Sequence, residues 1–107
     1  MKEMIKVGNT EIQVAAAGEY AARSRGATGF GFSAIVGSGK RGNAVVPTAT
    51  AKVMEDGELV MIGIAPKIRG YAGVVGDALP VNGTYSAKQI ECMKYLREAF
   101  CLTKEML

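Results

Sequence analysis

Residues 37–42, Gly-Ser-Gly-Lys-Arg-Gly, have the G-x-G-x-x-G spacing of a dinucleotide-binding turn. Lys40 and Arg41 lie inside it, where phosphates would favour positive charge. That chemistry needs a helix directly after the last glycine, because the helix N-terminus holds the pyrophosphate. Here "NAVVPTATA" follows, and Pro47 with its β-branched neighbours rules the helix out. A P-loop fails as well. Arg41 follows Lys40 where a Ser or Thr should hold magnesium, and the upstream glycine spacing is wrong. The run reads as a flexible turn between strands, and no cofactor is expected.

The chain contains no histidine. It therefore lacks the commonest general base and a frequent metal ligand. Ser-His and Cys-His nucleophiles within one chain are excluded. Glu11 and Glu19 lie on nearly one helical face, a spacing that alone is little support for a catalytic carboxylate pair. Cys92 and Cys101 fall on opposite faces of one helix, about 13 Å apart along its axis, so they cannot pair with each other. They read as buried or idle thiols. Lys67 and Arg69, like Lys40 and Arg41, read as solvated turn charges. Met54, Met61, Met93 and Met106 fit core or helix packing, and Tyr71 and Tyr95 read as anchors of sheet and helix.

The elements that must position these residues follow from pattern. Residues 10–25 read as a helix capped by Thr10 or Asn9, with Ile12, Ala15, Ala16 and Tyr20 on its apolar side. Residues 30–36 read as a strand. Residues 58–65 and 71–81 read as two strands of an antiparallel hairpin, with a turn bracketed by Pro66 and Gly70. Asp56-Gly57 marks a turn before them and Asn82-Gly83 one after. Ser86 and Gln89 form a capping box for a last helix, on which Ile90, Met93, Arg97 by its stem and Phe100 make one stripe. Helix, strands, helix is an α+β order.

At 107 residues the chain suits one domain or part of one, and 49% apolar composition supports a packed core. A chain this short buries a smaller share of its surface and leans more on partners. The net charge of +3, from 13 basic and 10 acidic residues, is too mild to point to nucleic acid. No apolar run approaches a membrane span, so no membrane partner is expected. "MKEMIKVGNTE" has no signal-peptide pattern, and the default compartment is the cytoplasm.

Three stretches carry a resemblance. "GATGFGFSAIVGSGKRGNAV", "MEDGELVMIGIAPKIRGYAGVVGDALPVNG" and "TYSAKQIECMKYLREA" resemble the pita-bread peptidase family of methionine aminopeptidase, aminopeptidase P, prolidase and creatinase. The most specific parts are Phe32-x-x-Ile35-Val36-x-Ser38-Gly39 and the Gly57-Glu58-Leu59-Val60 hairpin ending in Gly70-Tyr71. "APKIRGY" is closest to the prolidase and creatinase side. The resemblance implies half of a pita-bread fold over residues 1–107, with helices packed on one face of a curved, mainly antiparallel sheet.

The family's metallopeptidases, so the resemblance implies, hold two divalent metals with two aspartates, one histidine and two glutamates. The first aspartate position, in the strand after Gly-(Asp/Glu)-Leu-Val, reads Gly63 here. The second, just past Gly70-Tyr71, reads Val74. Asp77 stands at an odd offset from Val74, pointing to the other face of a strand, where the family usually carries an arginine. A substrate-seating histidine is replaced by Val46 or a neighbour. The remaining ligands belong to the second half of the fold. No metal site, no catalytic residue and no cofactor are therefore expected.

The resulting expectation is a non-catalytic homologue of metallo-aminopeptidases and prolidases that works by self-association or binding. Its partner would be a second copy completing the sheet as a homodimer. A peptide or small molecule in the old cleft is a further expected ligand class. The alternative is a fragment or subunit of a Xaa-Pro dipeptidase or aminopeptidase that needs a partner half.

Overall fold

The computed structural model describes all 107 residues. In chain order the elements are α1 (Glu11–Arg23), β1 (Gly29–Phe30), β2 (Ile35–Ser38), β3 (Leu59–Ile64), β4 (Pro66–Ile68), β5 (Tyr71–Ala72), β6 (Val75–Pro80) and α2 (Ala87–Met106). Single 3₁₀ turns lie at Lys2–Met4 and Gly39–Asn43.

The strands form two antiparallel three-stranded sheets, ordered β2-β3-β6 and β1-β4-β5. The chain crosses from one sheet to the other three times, between β1 and β2, at Ala65, and at Gly73-Val74. Three bent ribbons therefore build one curved surface. The predicted hairpin is present: Leu59↔Pro80 through Ile64↔Val75 pair in one sheet, and Lys67↔Ala72 with Ile68↔Tyr71 in the other. Its turn is tighter than the bracket from Pro66 to Gly70. Only Arg69 (φ 52°) and Gly70 (φ 86°) leave the ladder, and positive φ at both central residues is the geometry that matches strand twist in a two-residue hairpin.

The strand expected over 30–36 is instead two short strands in different sheets. Gly31 donates its N–H to Ala65 O, and β1 pairs with β4 while β2 pairs with β3. The bend between them follows the bend at Ala65 in the partner strand.

α1 begins where the sequence places it, with Thr10 and Gln13 forming a reciprocal capping box. Its inward face differs from the expected one. Val14, Ala15, Gly18 and Glu11 are buried, whereas Ile12, Ala16 and Tyr20 are exposed. The helix approaches its neighbours through small residues. A Cβ at Gly18 would collide with the Met1 side chain, so glycine lets the N-terminal segment lie against the helix. The core joins Val14 and Ala15 of α1 to Val36, Val60 and Ile62 of the sheet, with Met54 fully buried between them.

α2 has the predicted capping box of Ser86 and Gln89. None of its residues is buried, and the stripe through Ile90 and Phe100 faces solvent. It is tied down at its start, where Gln89 Nε2 donates to Gly57 O (3.0 Å) and Tyr85 Oη donates to Ala78 O (2.8 Å). Cys92 and Cys101 are exposed rather than buried. Tyr71 and Tyr95 are exposed too, so Tyr85 takes the anchoring role expected of them. Met106 is likewise exposed, while Met54 is core. No helix is long and apolar enough to cross a membrane.

Candidate functional site

Two features stand out: a cleft on one face of the β2-β3-β6 sheet and a buried carboxylate behind the other. Side chains alternate along β3, so Val60 and Ile62 enter the core against α1 while Met61 and Gly63 face the opposite side. On that opposite side lies a cleft of about 330 Å³. Phe32, Ile35, Val45, Met61, Gly63 and Val74 line it.

The topology brings Gly63 and Val74 together. Gly63 pairs with Gly76 across the ladder, and Val74, just before β6, lines the same cleft. A Cβ at Gly63 would meet Ile35 at ordinary van der Waals distance, 3.5 Å. The backbone there has room for a side chain that the sequence does not supply.

Asp77 also borders the cleft, yet its carboxylate is turned away. It pairs with Ile62, a core-facing residue, and so belongs to the α1 side. Its Oδ2 accepts from Lys2 Nζ at 2.8 Å and its Oδ1 from Ala78 N at 2.9 Å. What remains in the cleft is methyl, methylene and aromatic surface. A divalent cation needs several oxygen ligands to replace its water. The cleft offers no such set, and nowhere does the chain gather three His, Cys, Asp or Glu side chains able to hold a metal. The donor set does not fit a dication.

The second feature centres on Glu11, whose side chain has no solvent exposure. Its Oε1 accepts from Ser38 N (2.8 Å) and Ser38 Oγ (2.9 Å). Its Oε2 accepts from Thr50 N (3.0 Å), Thr50 Oγ1 (2.8 Å) and Arg41 Nε (3.1 Å). Burial alone would raise the Glu11 pKa, but the Ser38 and Thr50 donors outweigh it and hold the carboxyl below the usual range. Its place in the first turn of α1 also favours a negative charge.

This network corrects two readings. Arg41 is no idle turn charge: it pairs with Glu11 and donates from Nη2 to Thr48 O at 2.6 Å. The glycine run is no flexible link either, because the 3₁₀ turn is pinned by Arg41 and by Ser38 at its start. Lys40 alone stays exposed as expected.

Ser38 Oγ also accepts from Lys52 Nζ at 3.1 Å, the contact pattern of a Ser-Lys nucleophile. The arrangement cannot serve as one. Ser38 is fully buried, out of reach of a substrate, and the Lys52 ammonium is engaged by the Glu58 carboxylate at 2.7 Å. Sequence reasoning missed this group because its members come from four separate segments. Glu11 was paired with Glu19 by spacing, and nothing local to Glu11 announces Ser38 or Thr50.

In sequence and fold the chain is similar to known metallopeptidases. Residues 1–106 match the pattern of metallopeptidase family M24. The Xaa-Pro aminopeptidase of Escherichia coli (strain K12) is 35% identical over 68 residues, 64% of this chain and 15% of that protein. Among solved structures, the prolidase from Pyrococcus horikoshii OT3 superposes with a TM-score of 0.84 at 31% identity, over 91% of this chain and 28% of its own. The X-Pro aminopeptidase of Thermotoga maritima MSB8 gives 0.83 at 30% identity, over 91% and 28%. The chain thus spans less than a third of the length of these relatives.

Proposed function

The chain belongs to metallopeptidase family M24 and has half of the pita-bread fold, and from that premise we propose that it carries no hydrolytic metal centre and acts by association or binding. One observation carries this reading. Gly63 and Val74, which the family resemblance aligns with two metal-binding aspartates, share one apolar cleft into which no carboxylate points. Two dications there would be uncompensated charge against apolar surface, a cost of many kcal/mol. No hydrolytic step is assigned to these residues.

Association is supported by what the fold leaves uncovered. Val45, Val74, Leu96 and Phe100 are each more than half exposed, at 90%, 71%, 59% and 69%. Val45 and Val74 lie together in the cleft, and contiguous apolar surface marks contact sites. The partner we favour is a second copy about a twofold axis, where one patch covers its like. A peptide or small apolar ligand in the cleft is the other binding form of the same reading.

A second reading has its own support. The likeness to the Pyrococcus horikoshii prolidase is high over 91% of this chain, so the chain also suits the first part of a Xaa-Pro peptidase whose other half supplies the missing groups.

Calorimetric titration with manganese, cobalt and zinc, beside an assay of Xaa-Pro dipeptide hydrolysis, tests the main reading. We expect neither binding heat nor turnover from the purified chain. Metal-dependent turnover by the chain alone overturns it. Turnover only after adding a separate polypeptide supports the second reading. Light scattering at micromolar concentration tests the dimer.

A further inference from the structure

Antiparallel ladders alternate hydrogen-bonded and non-hydrogen-bonded pairs, so every second residue of an edge strand turns its N–H and C=O outward. β6 is the outer strand of its sheet. Val81 N donates to Glu58 O, one step beyond the Leu59↔Pro80 pair. Val81, Leu79, Asp77 and Val75 therefore bond inward, and Pro80, Ala78 and Gly76 face out. Such an edge is a template for a strand from another molecule.

Here most of that template is already used. Pro80 has no N–H, and its carbonyl accepts from Gly83 N at 3.1 Å. Ala78 N donates to Asp77 Oδ1 at 2.9 Å, and Ala78 O accepts from Tyr85 Oη at 2.8 Å. Asp77 is in turn held by Lys2, 2.8 Å from its other oxygen. Only Gly76 keeps both outward groups free of the partners given to its neighbours. The opposite edge is covered as well: Val36 N donates to Pro47 O, and Ile35 bridges to Thr48.

We propose that Asp77 and Tyr85 close the outer edge of β6 against strand addition by a second copy of this chain. Copies that associate then meet through the cleft face rather than by lengthening the sheet. The closure holds whether or not the apolar face binds a partner. The two ideas separate experimentally, because wild-type mass reports the dimer and edge variants report the guard.

Amide exchange by NMR and sedimentation velocity on the full chain provide the test. In the wild type, the Ala78 amide exchanges at least tenfold more slowly than that of Gly76. In Asp77→Ala combined with Tyr85→Phe, dilute samples lose that difference. Concentrated samples of this variant gain mass over the wild type at equal concentration, with new protection at Gly76 and Ala78. Asp77→Asn keeps an acceptor oxygen for Ala78 N–H and behaves as the wild type. Equal exchange at Ala78 and Gly76 in the wild type overturns the proposal even if the double variant fails to fold. So does a folded double variant with wild-type mass.

Discussion

Glu11 and Ser38 stand 27 residues apart in sequence, yet Glu11 Oε1 takes both the backbone N–H and the hydroxyl of Ser38, at 2.8 and 2.9 Å. The start of α1 is thereby fastened to the end of β2, and through Arg41 to the 3₁₀ turn that follows. A buried carboxylate with every lone-pair direction used is a structural joint.

Removing it is costly. Glu11→Ala strands the Ser38 and Thr50 donors and leaves Arg41 without its counter-ion. The expected loss is about 2–4 kcal/mol of unfolding free energy, and Glu11→Gln loses less because one oxygen remains. Urea denaturation monitored by circular dichroism measures both, and the order Ala worse than Gln is the discriminating result.

The same carboxyl sets an acid limit. Its folded-state pKa lies below the unfolded value, so the unfolded chain binds the proton first as pH falls. The stabilisation is complete above the ordinary carboxylate range and is lost as pH drops through the lowered folded value. Melting temperature should fall on acidification below about pH 4.5, and Glu11→Gln should flatten that fall. An equally steep decline in the variant would show that other carboxylates control it.

Two glycines of the same ribbon system should respond oppositely to alanine. A Cβ at Gly37 would lie 2.6 Å from Pro47 Cγ and 3.0 Å from Arg41 O, with Pro47 buried. Gly37→Ala should cost about 1–3 kcal/mol by overpacking. Gly73 has open space and no positive φ, so Gly73→Ala should be neutral or stabilise by up to about 1 kcal/mol. Thermal melts of the pair check the contrast.

Gly63→Asp with Val74→Asp should create what the cleft lacks. The Cβ at 63 fits at 3.5 Å from Ile35, and Val74 is largely exposed. Two carboxylates on one side should take manganese weakly, with Kd on the order of 10⁻⁴ M. Calorimetry should register heat for the double variant and none for the wild type. If both bind alike, the apolar reading of the cleft is wrong.

The sequence was informative where the signal was local. Ser86 with Gln89, Asp56-Gly57 and the apolar run 58–65 placed a cap, a turn and a strand close to where they lie. It misled where the outcome depended on distant partners. Ile12 and Tyr20 are the large apolar residues of α1, but the helix packs through Ala15 and Gly18, because close approach rewards small side chains over large ones. Arg41 looked solvated because Glu11 lies in another segment. The glycine run gave a false dinucleotide spacing for the same reason: its purpose is a tight fit against Pro47 and Glu58.

α2 leaves the body from a pivot made by Tyr85 and Gln89, and beyond that point no side chain is enclosed. Leu96 reaches back to a hollow it shares with Met61 and Ala78 of the sheet, but the stripe through Ile90 and Phe100 meets no part of the chain that buries it. Covering Ile90 and Phe100 would therefore fall to a surface from outside this fold.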